Sequence, residues 1–100
     1  MYFNTVPAKL LPCYIGKKQC IIVDLRSEKE FQAGHVCGAI NIPYEKLSEH
    51  CDIFDQYQEV VLYCARGNAS IQAARDYQNH KANIINIYGG IRAYRGELVC

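Results

Sequence analysis

The sequence predicts an α/β fold with a parallel sheet, on two observations. Short apolar runs rich in β-branched and aromatic residues alternate with amphipathic stretches, with no internal repeat or low-complexity segment between them. The runs have the length of buried parallel strands, and the stretches between them can carry the crossovers that parallel pairing requires. The clearest strands are Cys20-Ile21-Ile22-Val23, Val60-Val61-Leu62-Tyr63 and Ile84-Ile85-Asn86-Ile87. Residues 39–42 make a fourth, stopped by Pro43, and 3–6 an edge strand closed by Pro7, which has no N–H for a ladder. Helices are expected over 27–33, 44–50 and 70–79. The last places Ile71, Ala74 and Gln78 on one side, with Ala73 and Tyr77 beside it. Residues 9–18, with Pro12 and Gly16, make a poor helix.

One hundred residues have room for one domain, taken as 1–100. Half are hydrophobic and 21% are charged, enough for one core and too mixed for a disordered tail. Eleven Lys and Arg against ten Asp and Glu leave a formal charge of +1, which argues against nucleic acid as the main partner. The charge is unevenly spread: residues 1–63 hold six basic and eight acidic residues, whereas 64–100 hold five and two. Arginines 66, 75, 92 and 95 fall in the second part, where any that surround a site would favour an anionic substrate. No apolar run approaches the roughly 20 residues needed to span a bilayer. Met1-Tyr2-Phe3-Asn4-Thr5 lacks the basic start and apolar stretch of a secretory leader, so a cytoplasmic location with no membrane partner is expected.

Six cysteines, at positions 13, 20, 37, 51, 64 and 100, ask for explanation in so short a chain. In a reducing compartment they are not a disulfide framework. Their spacing contains no C-x2-C or C-x4-C pair to hold a metal, and no C-x-x-C of the thioredoxin type. One of them is placed for chemistry. The strand ending at Tyr63 runs directly into Cys64-Ala65-Arg66-Gly67-Asn68-Ala69-Ser70 and then into a helix. Ligands of open α/β sheets bind beyond the carboxyl ends of the strands, where this loop must lie. Gly67 and Asn68 tolerate positive φ, so the loop can turn its N–H groups inward as an anion-binding nest, and the helix adds its own free N–H groups. Such surroundings favour a thiolate nucleophile at Cys64.

At this point the residues resemble the rhodanese-like sulfurtransferases, in particular the small members with one domain. Ile22-Val23-Asp24-Leu25-Arg26-Ser27-Glu28-Lys29-Glu30-Phe31 is similar to the family's D-x-R followed by E-F. Gly34-His35-Val36-Cys37-Gly38-Ala39-Ile40-Asn41-Ile42-Pro43 resembles its G-H-I-P-G-A-x-N-I-P signature, residues 64–70 its C-x-x-G-x-x-S loop, and Gly89-Gly90-Ile91-Arg92-Ala93-Tyr94 its G-G-I-x-A-W. The resemblance implies a five-stranded, mostly parallel sheet flanked by helices on both faces. It also implies a sulfurtransferase in which Cys64 takes a sulfane sulfur from a small anionic donor such as thiosulfate, holds it as a persulfide, and passes it to cyanide or a thiol. The amides of Ala65, Arg66, Gly67, Asn68, Ala69 and Ser70 would stabilise the charged sulfur, and no metal or organic cofactor is needed.

Loop length separates this reading from cysteine phosphatases on the same fold, whose C-x5-R loop grips phosphate with its arginine; here the sixth residue after Cys64 is Ser70. The sequence departs from the family at Ala69, where many members carry arginine, at Cys37 in place of proline, at Tyr94 in place of tryptophan, and over 9–18. Asp24 and Arg26 end a strand beside the loop and are expected to tie loops together, with Glu30 in the same network. His35 is assigned to turn structure, and His50 and His80 to the surface. Asn68 is expected to hold the loop's shape. Cys37 or Cys100 could resolve an oxidised Cys64 as a disulfide. The alternative to an enzyme is a non-turnover module that relays sulfur to a partner protein or binds one.

Overall fold

The computed structural model describes residues 3–100. Met1 and Tyr2, part of the reading against a leader, lie outside them. The described residues contain seven strands: β1 (Asn4–Pro7), β2 (Cys20–Asp24), β3 (His35–Val36), β4 (Ile40–Asn41), β5 (Glu59–Tyr63), β6 (Asn83–Tyr88) and β7 (Leu98–Val99). Three α-helices accompany them: α1 (Glu28–Ala33), α2 (Ile53–Gln56) and α3 (Asn68–Tyr77). Five strands form one sheet in the order β1-β6-β5-β2-β4, with every pair parallel. Among the described residues, no helix is long and apolar enough to cross a membrane.

Side chains alternate across the sheet, so each central strand feeds two cores. Val23, Val60, Leu62 and Ile84 face α2 and α3, packing against Phe54, Ala73, Ala74 and Leu47. Ile22, Val61, Tyr63, Ile85 and Ile87 face the other way, onto Ala8, Leu11, Phe31 and Ile91. This two-sided burial is why these strands read as continuous apolar runs, and it places helical segments on both faces as expected.

The edge strand falls at Asn4–Pro7, and the ladder of the fourth strand is confined to Ile40–Asn41, opposite Val23 and Asp24. Tyr44–His50 is a 3-10 segment instead of an α-helix. Leu47 is its single buried residue, so there is no apolar stripe for a full α-helix to lay against the sheet. The stretch read as a poor helix is also 3-10, over Ala8–Tyr14, with Pro12 inside and Ala8 and Leu11 buried. Helix α3 begins two residues earlier than expected, because Gly67 at φ +104 turns the chain into it at once. Its buried residues are Ser70, Ala73 and Ala74, a face rotated away from Ile71 and Gln78. The antiparallel pair β3–β7, His35 opposite Val99 and Val36 opposite Leu98, was not anticipated.

Candidate active site

The carboxyl ends of three adjacent strands build the site: β2 leads into Leu25 and Arg26, β5 into Cys64, and β6 into Gly89 and Gly90. Between the first two lies an open cavity of about 300 Å³. Cys64, Ala65, Arg66, Asn68 and Ala69 line one part of it, and Leu25, Arg26, Ser27 and Glu30 the other. Cys64 is 5% exposed, belongs to the α3-side core and lines this opening.

The loop holds the sulfur by few contacts. The Gly67 N–H donates to Cys64 Sγ at 3.0 Å, a geometry that the left-handed φ of Gly67 makes possible. Ser70, fully buried, stands beneath: the Cys64 thiol donates to Ser70 Oγ at 3.7 Å, and Ser70 Oγ donates to the Gly67 carbonyl at 3.2 Å. When the sulfur is a thiolate, the same hydroxyl can rotate to donate to it. Of the six loop amides expected to face the sulfur, Gly67 alone bonds it. Asn68, Ala69 and Ser70 open α3 and carry the free N–H groups of its first turn. Asn68 is exposed at the cavity wall and its side chain makes no hydrogen bond among the described residues, so it does not hold the loop's shape.

That shape is set from β6. The Ile91 N–H donates to the Cys64 carbonyl at 2.9 Å and the Arg92 N–H to the Ala65 carbonyl at 3.2 Å. Gly90 permits this approach: a Cβ there would lie 2.5 Å from the Cys64 carbonyl oxygen. The glycine pair was noticed in the sequence as a motif, but its contact with the cysteine loop carries no local signal.

Asp24 and Arg26 meet as expected, in one locked unit. Arg26 Nε and Nη2 donate to both oxygens of the fully buried Asp24 carboxylate at 2.7–3.1 Å, and Nη2 also donates to the Gly34 carbonyl at 2.7 Å. Burial draws the guanidinium pKa down, but the hydrogen bonds and charge of Asp24 outweigh it, so it stays charged. The Asn41 amide donates to the carbonyls of both Asp24 and Arg26, tying β4 to the unit. Below it, Tyr63 Oη accepts the Val36 N–H at 3.1 Å; burial first, and the Asp24 carboxylate with it, push this phenol well above its ordinary value. Arg26 lines the cavity with its charge already matched.

Glu30 is placed differently from its expected role. It forms no ion pair with Arg26 but closes a capping box on α1: Ser27 N–H and Oγ donate to Oε1 at 3.2 and 3.0 Å, and the Glu30 N–H donates back to Ser27 Oγ. These bonds, backbone first, hold its carboxyl below the ordinary glutamate value. The pattern Ser27-x-x-Glu30 was the signal that could have identified it. Ser27 and Leu25 are further cavity residues that the sequence reading passed over. His35 serves the turn, its Nδ1–H donating to the Phe31 carbonyl at 2.8 Å while its ring stacks on Phe31 at 3.7 Å. All six cysteines are free thiols, and Cys37 and Cys100, both exposed, do not line the Cys64 cavity.

A parallel sheet with a buried cysteine on its strand-to-helix loop, held by a backbone N–H at the mouth of a cavity, defines a class of α/β proteins built around one cysteine loop. The match to the Rhodanese-like domain spans residues 8–97, and the chain belongs to that family. It is similar to "Thiosulfate sulfurtransferase 16, chloroplastic" of Arabidopsis thaliana, 32% identical over 72% of this chain and 71% of that one. It is also similar to "Putative sulfur carrier protein YrkF" of Bacillus subtilis, 26% identical over 76% of this chain and 42% of that one. Among solved structures, a rhodanese-related protein from Thermoplasma volcanium superposes with a TM-score of 0.84 at 27% identity, covering 97% of this chain and 98% of the other.

Proposed function

We propose that the chain is a cytoplasmic sulfurtransferase of one rhodanese-like domain, residues 1–100, with Cys64 as its sulfur-carrying nucleophile. The observation that carries the reading is the Gly67 N–H on Cys64 Sγ at 3.0 Å, at an opening wide enough for a donor. With thiosulfate, the Cys64 thiolate attacks the outer sulfur, the S–S bond breaks, and sulfite departs with the electron pair. The persulfide anion then gives its terminal sulfur to cyanide or to a thiol, and Cys64 returns as thiolate. The Gly67 N–H, the Ser70 hydroxyl and the free N–H groups of α3 offer fixed dipoles to the negative sulfur at each stage. Arg66, exposed at the cavity wall, guides an anionic donor. The steps as written use no cofactor.

The test is direct: incubate the protein with thiosulfate, measure the added mass of one sulfur on the Cys64 peptide, then add cyanide and follow thiocyanate. Loading and turnover are expected for the wild type and neither for Cys64→Ser. Equal rates for the two would sink the proposal. Loading without turnover supports the second reading, a sulfur relay to a partner protein, which the likeness to a sulfur carrier favours.

A further inference from the structure

Four charged groups stand at or beneath the cavity, and two of them cancel inside the protein. Arg26 is committed to Asp24 and to the Gly34 carbonyl. Glu30 and Arg66 remain. Both line the cavity, both are exposed, and neither forms a salt bridge among the described residues. Both of Glu30's bonds from Ser27 end on Oε1, and Oε2 accepts none among the described residues. Its lowered pKa keeps the carboxylate charged at neutral pH. The cavity thus offers a thiol acceptor one anion and one cation, with Cys64 among the lining residues on the Arg66 side. A thiol acceptor without charges would gain from neither group. A molecule bearing both signs gains from both. The volume of about 300 Å³ leaves room for a small amino acid with some of its water, at about 30 Å³ for each water molecule.

We propose that the thiol acceptor is a zwitterionic aminothiol carboxylic acid of the cysteine type, with its ammonium toward Glu30, its carboxylate toward Arg66 and its sulfur toward Cys64. This rests on the persulfide chemistry proposed above. The acceptor's proton passes through water to the Cys64 persulfide anion, and the acceptor thiolate attacks the outer sulfur of the hydropersulfide so formed. The S–S bond breaks, Cys64 leaves as thiolate with the electron pair, and the product is the acceptor's own hydropersulfide.

The experiment loads Cys64 with thiosulfate, or with an organic polysulfide, removes excess donor, and follows discharge by intact mass. The acceptors are L-cysteine, N-acetylcysteine, which lacks the ammonium, and cysteamine, which lacks the carboxylate. Two acceptors are compared within each variant, so that changes in the reactivity of Cys64 itself divide out. Glutamine at position 30 still closes the capping box, so Glu30→Gln keeps α1. The cysteine to N-acetylcysteine rate ratio is expected to fall about threefold in Glu30→Gln, and the cysteine to cysteamine ratio about threefold in Arg66→Gln, as suits exposed ion pairs. Both effects should shrink in high salt. Wild-type ratios in both variants, measured on protein whose Cys64 has been loaded to completion whatever the loading rate, would overturn the substrate assignment alone. Failure to load from either donor would overturn the sulfur-transfer reading and this one with it.

Discussion

Gly90 lies back to back with the Cys64 carbonyl: a Cβ on the glycine would fall 2.5 Å from that oxygen and 2.6 Å from the carbonyl of Ala65. Its φ of +61 and ψ of −163 belong to a region that side-chain-bearing residues hardly enter. The end of β6 can therefore clamp the cysteine loop through the Ile91 and Arg92 amides only if residue 90 is glycine.

Gly90→Ala is expected to destabilise the protein by about 1–3 kcal/mol through backbone strain. It should also slow Cys64 loading by about tenfold to a hundredfold, because the sulfur shifts against the Gly67 N–H. Urea unfolding and the rate of mass gain with thiosulfate measure the two separately.

Ser70→Ala separates sulfur stabilisation from folding. The Gly67 carbonyl keeps its bond from the Ile71 N–H at 3.3 Å, so the stability loss should stay near about 1 kcal/mol. Loading is expected to slow by about tenfold, less than the loss of an oxyanion-hole donor, because the contact to sulfur is long.

Asp24→Ala leaves the largely enclosed Arg26 guanidinium without its counter-charge. Removing one partner of such a pair costs about 3–5 kcal/mol, so the urea midpoint should drop sharply at an unchanged slope. A midpoint within error of the wild type would show that water replaces the carboxylate.

Glu30 links stability to acid. Its folded pKa lies below the ordinary glutamate value of 4.5, so the unfolded chain binds the proton more readily. The stabilisation is present above about pH 4.5 and fades as pH falls through the lower folded value. The stability gap between wild type and Glu30→Gln, followed by urea unfolding from pH 7 to pH 3, should narrow over that acid range. A gap that widened on acidification would contradict the assignment.

Much of the site was legible because its signals are local. The strands β2, β5 and β6 announced themselves by apolar runs buried on both faces, and the cysteine loop by its place between β5 and a helix. Glu30 was legible too, through Ser27-x-x-Glu30, although the expectation placed it in the Asp24–Arg26 network. The pairing of β3 with β7 was not legible: two-residue strands far apart in the chain, His35–Val36 and Leu98–Val99, leave no periodicity to read. Nor was the 3-10 geometry of Tyr44–His50, which depends on how little of that segment the core accepts.

The sequence by itself determined the parallel α/β sheet, the cysteine proposed as nucleophile and the loop that presents it, since burial pattern, strand length and loop composition are properties of neighbouring residues. Only the tertiary structure decided which charges remain available and which atoms hold the sulfur. Glu30 and Arg66 are left facing one cavity, and β6 brings Gly90 against Cys64. Those outcomes depend on distances between strand ends far apart in the chain, and sequence spacing carries no record of such distances.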